Sequence, residues 1–285
     1  MTGSTKTTFT LTAPREALMA AVKTALDAVE RKNTIPVLAN LLLESSLVDG
    51  LRVSGTDLDV MTTVATGLET APKQYQGITL PAALLHDILR KLPDKTEVTL
   101  KEVQAGQMAI TCGRSRFTLQ TRPGADWPKL EEKTAPAASF EIPATRFAAM
   151  LAAVSFAISS EETRYYLNGV YMHCAGEQLV TVATDGHRLA RATIAAPDGA
   201  PAMPGVIIPR KTVELLTRAL AGAGSQAMLD VAVSENRITF GLGAVTIASK
   251  LIYGTFPDYG RVIPEGNANL WRFDVAGLST AADRV

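Results

Sequence analysis

Three histidines and two cysteines are the whole supply of near-neutral titrating and soft-ligand side chains in this 285-residue sequence. His86, His173 and His187 are scattered and form no H-E-x-x-H pair, and Cys112 and Cys174 stand apart without a C-x-x-C. Neither the spacing of a metal site nor that of a redox pair is present, so reduced structural thiols are expected. The densest chemistry is Thr184-Asp185-Gly186-His187-Arg188-Leu189. One reading makes Asp185 and His187 an acid–base couple, but no G-x-S-x-G elbow supplies a companion nucleophile. The other reading is a hairpin turn, with Gly186 supplying a positive φ between two alternating runs and His187 partly exposed. Gly222-Ala223-Gly224-Ser225 and Gly241-Leu242-Gly243 match no phosphate-binding motif and read as loop and bulge glycines. The expectation is a chain with no catalytic residue, no cofactor and no metal.

The second kind of chemistry is cationic. His86, Arg90 and Lys91 lie off the apolar stripe of one amphipathic segment, Arg210, Lys211 and Arg218 off that of another, and Arg31 and Lys32 follow a third. They form either solvated faces or a set of cations turned toward one cavity that holds a polyanion. Arg164-Tyr165-Tyr166-Leu167 reads either as half-buried strand tyrosines beside a surface arginine or as a stacking and phosphate contact for nucleic acid. Net charge is zero, from 28 basic and 28 acidic residues. A protein that grips DNA by neutralising phosphates is usually basic, so any nucleic-acid role rests on local placement of charge.

The elements that position these residues are duplicated. Asn40 matches Asn168, Thr56-Asp57 matches Thr184-Asp185, Pro81 matches Pro209, Arg90 matches Arg218 and Gly113 matches Gly241, every time at an offset of 128 residues. Asp126-Trp127-Pro128 answers Thr255-Phe256-Pro257 one residue later. A constant offset carried through a whole domain marks a tandem repeat. In each copy two apolar stripes at helical spacing, Leu18-Val22-Ala25-Leu26-Val29 and Leu85-Ile88-Leu89-Leu92, then Phe147-Met150-Leu151-Val154 and Val213-Leu216-Leu220, alternate with short strand-like runs. The fold class is therefore α+β, with two helices packed on antiparallel sheets per copy. The copies occupy residues 1–130 and 139–264, joined by a polar linker over Glu131 to Ser139. Residues 269–285 open a third copy: Phe273-Asp274-Val275-Ala276 repeats the strand pattern of Phe9-Thr10-Leu11-Thr12 and Phe140-Glu141-Ile142-Pro143, and the start of a helix follows. No apolar run reaches 18 residues and the first residues have no apolar leader core, so neither a membrane span nor a signal peptide is expected, and a cytoplasmic location is.

Glu162-Thr163-Arg164-Tyr165-Tyr166-Leu167-Asn168-Gly169-Val170, Ala183 to Leu189, Pro209-Arg210-Lys211 and Phe256-Pro257-Asp258-Tyr259-Gly260-Arg261-Val262-Ile263-Pro264, in that order, resemble the bacterial DNA polymerase III sliding clamp, the β subunit family. Gly55-Thr56-Asp57-Leu58 and Gly113 to Phe117 extend the likeness into the first copy. The resemblance implies three like domains per subunit and two subunits closed head to tail around double-stranded DNA, held by topology without sequence preference. It implies a non-catalytic processivity factor that tethers DNA polymerase subunits, the clamp loader and repair proteins through short linear motifs. Carried over by position, the peptide pocket is Arg164, Leu167, Thr184, Gly186, His187, Arg188, Leu189, Pro257, Arg261 and Val262. The DNA contacts are Lys32 with its neighbour Arg31, and Tyr165 and Tyr166; Arg90, Arg210 and Lys211 are added as cations of the helices. The family places a third domain where this sequence stops, so a weakened pocket, a monomer in dilute solution and no topological hold on circular DNA are expected of the fragment, and a homodimer of the full-length chain. An enzyme of another class, or a repeat scaffold without DNA, remains the rival reading.

Overall fold

The structure is a computed structural model that describes residues 8–30, 35–128 and 135–285. The first half runs β1 (Thr10–Pro14), α1 (Arg15–Leu26), β2 (Asn40–Ser46), β3 (Gly50–Thr56), β4 (Val60–Ala65), β5 (Thr70–Ala71), β6 (Tyr75–Pro81), α2 (Ala82–Lys91), β7 (Glu97–Gln104), β8 (Gln107–Cys112), β9 (Ser115–Gln120) and β10 (Arg122–Pro123). The second runs β11 (Ala138–Pro143), α3 (Ala144–Val154), β12 (Gly169–Ala175), β13 (Gln178–Thr184), β14 (Leu189–Ala195), β15 (Val206–Pro209), α4 (Arg210–Ala221), β16 (Met228–Val233), β17 (Arg237–Leu242) and β18 (Val245–Lys250). Strand order is the same in both: β1-β7-β8-β9 and β6-β2-β3-β4 in the first, β11-β16-β17-β18 and β15-β12-β13-β14 in the second. All neighbours are antiparallel, and each half packs its two helices on its sheets, as the repeat requires.

One joint recurs four times. Pro14, Pro81, Pro143 and Pro209 each end a strand and stand immediately before a helix, with φ between −54 and −59°. A proline there cannot extend the sheet ladder and has its φ already near the helical value, so strand and helix meet without a loop. The sequence pattern pointed to Pro81 and Pro209; Pro14 and Pro143 do the same work. Behind three of these joints the first helical N–H finds a carbonyl outside its helix: Arg15 donates to Thr96 O, Ala144 to Ala227 O and Arg210 to Asn168 O. These would otherwise be orphan donors at the helix start.

Two apolar clusters form the core. Leu18, Val22 and Ala25 of α1 meet Leu85 and Leu89 of α2 in the first, and Phe147, Leu151 and Val154 of α3 meet Val213, Leu216 and Leu220 of α4 in the second. Helix α1 lies directly against its sheet: a Cβ added at Gly55 would stand 2.1 Å from Ala25 O. Gly55→Ala is accordingly expected to lift α1 from β3 and to destabilise the fold by about 1–3 kcal/mol, the usual cost of overpacking. Urea unfolding of the variant beside the parent protein measures it.

The two halves share one sheet. Strand β4 pairs with β18 over Val60–Ser249 to Val64–Val245, giving a nine-stranded sheet ordered β10-β6-β2-β3-β4-β18-β17-β16-β11. Among the described residues four ion pairs cross this seam, each taking its cation from the second half and its acid from the first: Lys211 to Asp57 at 2.5 Å and to Glu30 at 3.9 Å, Arg218 to Asp27 at 3.3 Å and Lys250 to Asp59 at 3.0 Å. Lys211 also donates to Ala28 O, just past the C-terminal end of α1, where a cation is favoured by the helix dipole.

Residues up to Gly254 form one compact unit, and Thr255–Val285 a second. In the second unit a 3-10 turn spans Tyr259–Val262 and α5 spans Val275–Ala282. The expected strand over Phe273 to Ala276 is absent. Asp274 instead caps α5, accepting from Gly277 N at 2.7 Å, and among the described residues no strand flanks this segment as β7 flanks β1. A strand without a ladder partner gives way to a capped helix. The linker expected over Glu131 to Ser139 is also shorter at its far end, since β11 begins at Ala138; residues 131–134 lie outside the described residues.

Candidate functional site

Thr184 and Asp185 close the β13–β14 hairpin with their side chains as well as their backbone. Thr184 Oγ1 donates to Arg188 O at 2.8 Å and accepts from Gly186 N at 3.1 Å. Asp185 Oδ1 accepts from both His187 N and Arg188 N at 3.0 Å, and Oδ2 accepts from Arg188 Nε at 2.9 Å. Gly186 has φ +89°, the left-handed conformation the hairpin reading required.

The same turn stands at the matched position of the first copy, hydrogen bond for hydrogen bond. Thr56 Oγ1 donates to Val60 O and accepts from Leu58 N, while Asp57 Oδ1 accepts from Asp59 N and Val60 N. Leu58 takes the positive φ there, at +82°. What differs is the partner of the second carboxylate oxygen: Lys211 across the seam in the first copy, Arg188 of its own turn in the second.

Backbone and side-chain hydrogen bonds to Arg188 and His187 depress the Asp185 carboxyl to about 2. A group whose folded pKa lies below its unfolded value of about 3.9 contributes stability that is fully present above the latter and is lost as pH falls through the former. The turn is thus expected to hold unchanged from neutral pH to about pH 4 and to loosen between about pH 4 and 2. A carboxyl carbon titration of Asp185 by NMR reads this directly.

Arg164 forms the opposite wall. It lies on a 3-10 turn over Glu162–Leu167, and its Nε and NH2 are both closed by Glu161, at 2.8 and 2.5 Å. The pair holds the Glu161 carboxyl below and the Arg164 guanidinium above their ordinary ranges. NH1 of Arg164 lies 2.5 Å from where a Cβ at Gly186 would stand, so the guanidinium rests on the turn backbone. Tyr165 and Tyr166 are on this 3-10 turn and not on a strand, with their rings edge to face at 5.8 Å. Tyr165 is half exposed. Leu167 ends the turn buried, and Leu189 opens β14 partly buried.

Two of the expected DNA contacts have other work. Arg210 donates through NH2 to Ile158 O and Ser159 O, and its backbone N–H reaches Asn168 O, so it brackets both ends of the loop that carries Arg164 and the tyrosines. Ser159 N to Leu167 O, Glu161 N to Ser159 Oγ and Asn168 Nδ2 to Glu161 O tie the loop further. Lys211 is engaged at the seam. Arg90 stays exposed beside Asp87 on α2. Arg31 and Lys32 lie outside the described residues. Pro257, Arg261 and Val262 belong to the second unit, where Arg261 Nε pairs with Asp258 Oδ2 at 2.9 Å and Val262 is exposed. The structure therefore brings Arg164, Leu167, Thr184, Gly186, His187, Arg188 and Leu189 into one unit. It adds Glu161, Asp185 and Phe156, whose ring centroid lies 5.6 Å from Arg188 Cζ. Phe156 sits in a short 3-10 turn over Ser155–Ala157 directly after α3, and no periodicity could have singled it out.

Among the described residues no group of three or more His, Cys, Asp or Glu is placed to hold a metal ion, and no helix is long and apolar enough to cross a membrane. Asp185 spends both carboxylate oxygens on the turn amides and on Arg188, and among the described residues it makes no hydrogen bond to the His187 ring.

Two tandem α+β copies of one strand order, welded edge to edge through a single sheet, define a clamp built of repeated domains. Known proteins agree. The family model described as the DNA polymerase III beta subunit, N-terminal domain, matches residues 9–131, and that described as its central domain matches residues 141–258. The beta sliding clamp of Caulobacter vibrioides is 42% identical over 280 residues, covering 96% of this chain and 74% of the relative, and that of Escherichia coli is 37% identical over 255 residues, covering 89% and 68%. A crystal structure of the Caulobacter crescentus beta sliding clamp with polyethylene glycol bound superimposes with a TM-score of 0.91 at 40% identity, covering 98% of this chain and 74% of that one. A sliding clamp from Bartonella birtlesii bound to griselimycin gives 0.89 at 39% identity with the same coverage. The chain belongs to the DNA polymerase III beta subunit family of sliding clamps, processivity factors that are not enzymes.

Proposed function

We propose that this chain serves as a DNA polymerase processivity clamp in the cytoplasm, and that the face between the Arg164 turn and the β13–β14 hairpin is where it recruits partners. Polymerase subunits, the clamp loader and repair proteins would dock there through short linear motifs, while duplex DNA passes the helices without sequence readout. We divide the chain into clamp domains at 1–130 and 139–264, with a third opening at 269, and take two such subunits to close the ring of the full-length protein.

The observation that carries the recruiting face is its rigidity without internal purpose. Seven side-chain and backbone hydrogen bonds fix the Asp185 turn and the Arg164 pair, yet Arg188 and Tyr165 remain exposed. A preorganised, partly apolar surface loses little entropy on binding an extended peptide. Loose passage of DNA is consistent with zero net charge, because strong phosphate binding would oppose sliding.

A fluorescent decapeptide with a Gln followed by Leu and Phe anchors tests the reading by anisotropy. Saturable binding that a scrambled decapeptide cannot compete supports it. Equal binding of the scrambled sequence removes it.

A further inference from the structure

The repeated turn shows what the second carboxylate oxygen of its aspartate is for. In the first copy that oxygen, on Asp57, fixes a cation from outside the turn, Lys211. In the second copy the oxygen on Asp185 fixes Arg188, at the position where the first copy has Val60. The second turn thus carries its own cation and orients it. Arg188 is held at two points: Nε on Asp185 Oδ2, and the guanidinium carbon 5.6 Å from the Phe156 ring centroid, within the range of a cation–π contact. Phe156 itself is 58% exposed and the Arg188 side chain equally so. An aromatic ring left in water beside an arginine is not explained by the core.

The two arginines of this face differ in what they have left to offer. Arg164 has Nε and NH2 both occupied by Glu161 and NH1 pressed on Gly186. Arg188 spends only Nε, and its terminal NH1 and NH2 groups make no hydrogen bond among the described residues. Those terminal groups form a planar fork that suits a carboxylate, which can accept from both at once.

We propose that Phe156 and Asp185 are positioning residues that hold Arg188 as a carboxylate-receiving fork, a subsite for an acidic group on the peptide that docks at this face. The inference rests on the recruiting face proposed above. The acidic group is either an Asp or Glu side chain flanking the anchors or the free carboxylate of a chain terminus. Both offer the same two oxygens.

Three versions of the Gln–Leu–Phe decapeptide separate these sources: one with a flanking Glu and an amidated end, one with a flanking Gln and a free terminal carboxylate, and one neutral at both. At least one acidic version should bind the parent protein about two- to fivefold more tightly than the neutral one, the scale of a solvent-exposed ion pair. Which acidic version gains identifies the source. Phe156→Leu and Asp185→Asn should each remove the preference, read as the ratio of acidic to neutral affinity on the same variant, and Phe156→Trp should retain it, since an indole face holds a guanidinium at least as well. Asp185→Asn keeps one oxygen for the two backbone N–H groups, so the turn survives and only the Arg188 contact is lost. Equal binding of all three peptides by the parent protein overturns the fork while leaving the recruiting face standing. So does a preference that persists in Phe156→Leu. Binding of none of the three overturns the face and the fork together.

Discussion

Asp57→Ala is expected to cost the fold about 3 kcal/mol, the low end for breaking a buried ion pair, because Lys211 keeps a third of its side chain in water while Asp57 is almost fully enclosed. The variant removes the carboxylate that meets Lys211 and, with it, the acceptor for Asp59 N and Val60 N. Asp57→Asn keeps the turn acceptor and should cost less, which separates the seam from the turn. Lys211→Met removes the cation without leaving a buried charge on the lysine side. A double-mutant cycle of Asp57→Asn with Lys211→Met by urea unfolding should show a coupling above about 1 kcal/mol, as groups in direct contact do. Additive losses would mean that the Asp57–Lys211 pair adds nothing to a seam held by the β4–β18 ladder, the apolar contacts and the other ion pairs.

Gly186→Val should abolish most of the peptide affinity, at least about tenfold, for a modest loss of stability of about 1–3 kcal/mol from a branched residue forced to positive φ. The Cβ would fall within 2.5 Å of Arg164 NH1, so the guanidinium must leave the turn and the wall opposite Arg188 moves with it. Gly186→Ala should show the same direction with a smaller strain. Anisotropy with the Gln–Leu–Phe decapeptide and a thermal melt of the same preparation separate the two effects. Unchanged affinity in a folded valine variant would show that Arg164 plays no part in recognition.

Much of this architecture is legible in the chain because it is said twice. Matches such as Asn40 with Asn168 and Thr56-Asp57 with Thr184-Asp185 are separated by one constant offset, and the apolar stripes led by Leu18 and Phe147 carry the two core helices. The Asp185-Gly186 turn is legible for a local reason: an aspartate that can accept two following N–H groups and a glycine that tolerates positive φ suffice to specify it. Its partner over Asp57-Leu58 is harder to see, because leucine gives no sign of a left-handed residue.

What was not legible depends on partners far along the chain. Lys211 and Arg210 sit beside each other on a polar helix start and read as free cations. Their acceptors, Asp57 and the carbonyls of Ile158 and Ser159, are brought to them only by the tertiary fold. Tyr165 and Tyr166 alternate with nothing, and their aromatic character suggested a strand where a short 3-10 turn stands, bracketed by Arg210. At Phe273 to Ala276 the strand pattern was real, but a ladder partner decides whether such a pattern becomes a strand, and Asp274 could cap a helix instead. Phe156 carried no signal at all before the structure placed Arg188 beside it.

Recruitment of partners is proposed for the face between the Arg164 turn and the β13–β14 hairpin. Amide chemical-shift mapping of the isotope-labelled chain during titration with the unlabelled Gln–Leu–Phe decapeptide tests it residue by residue. Saturable shifts are expected, centred on residues 161–168 and 184–189, with the Arg188 side-chain Nε–H moving alongside its backbone amide. Shifts confined to another surface, with residues 184–189 silent at saturation, would contradict it.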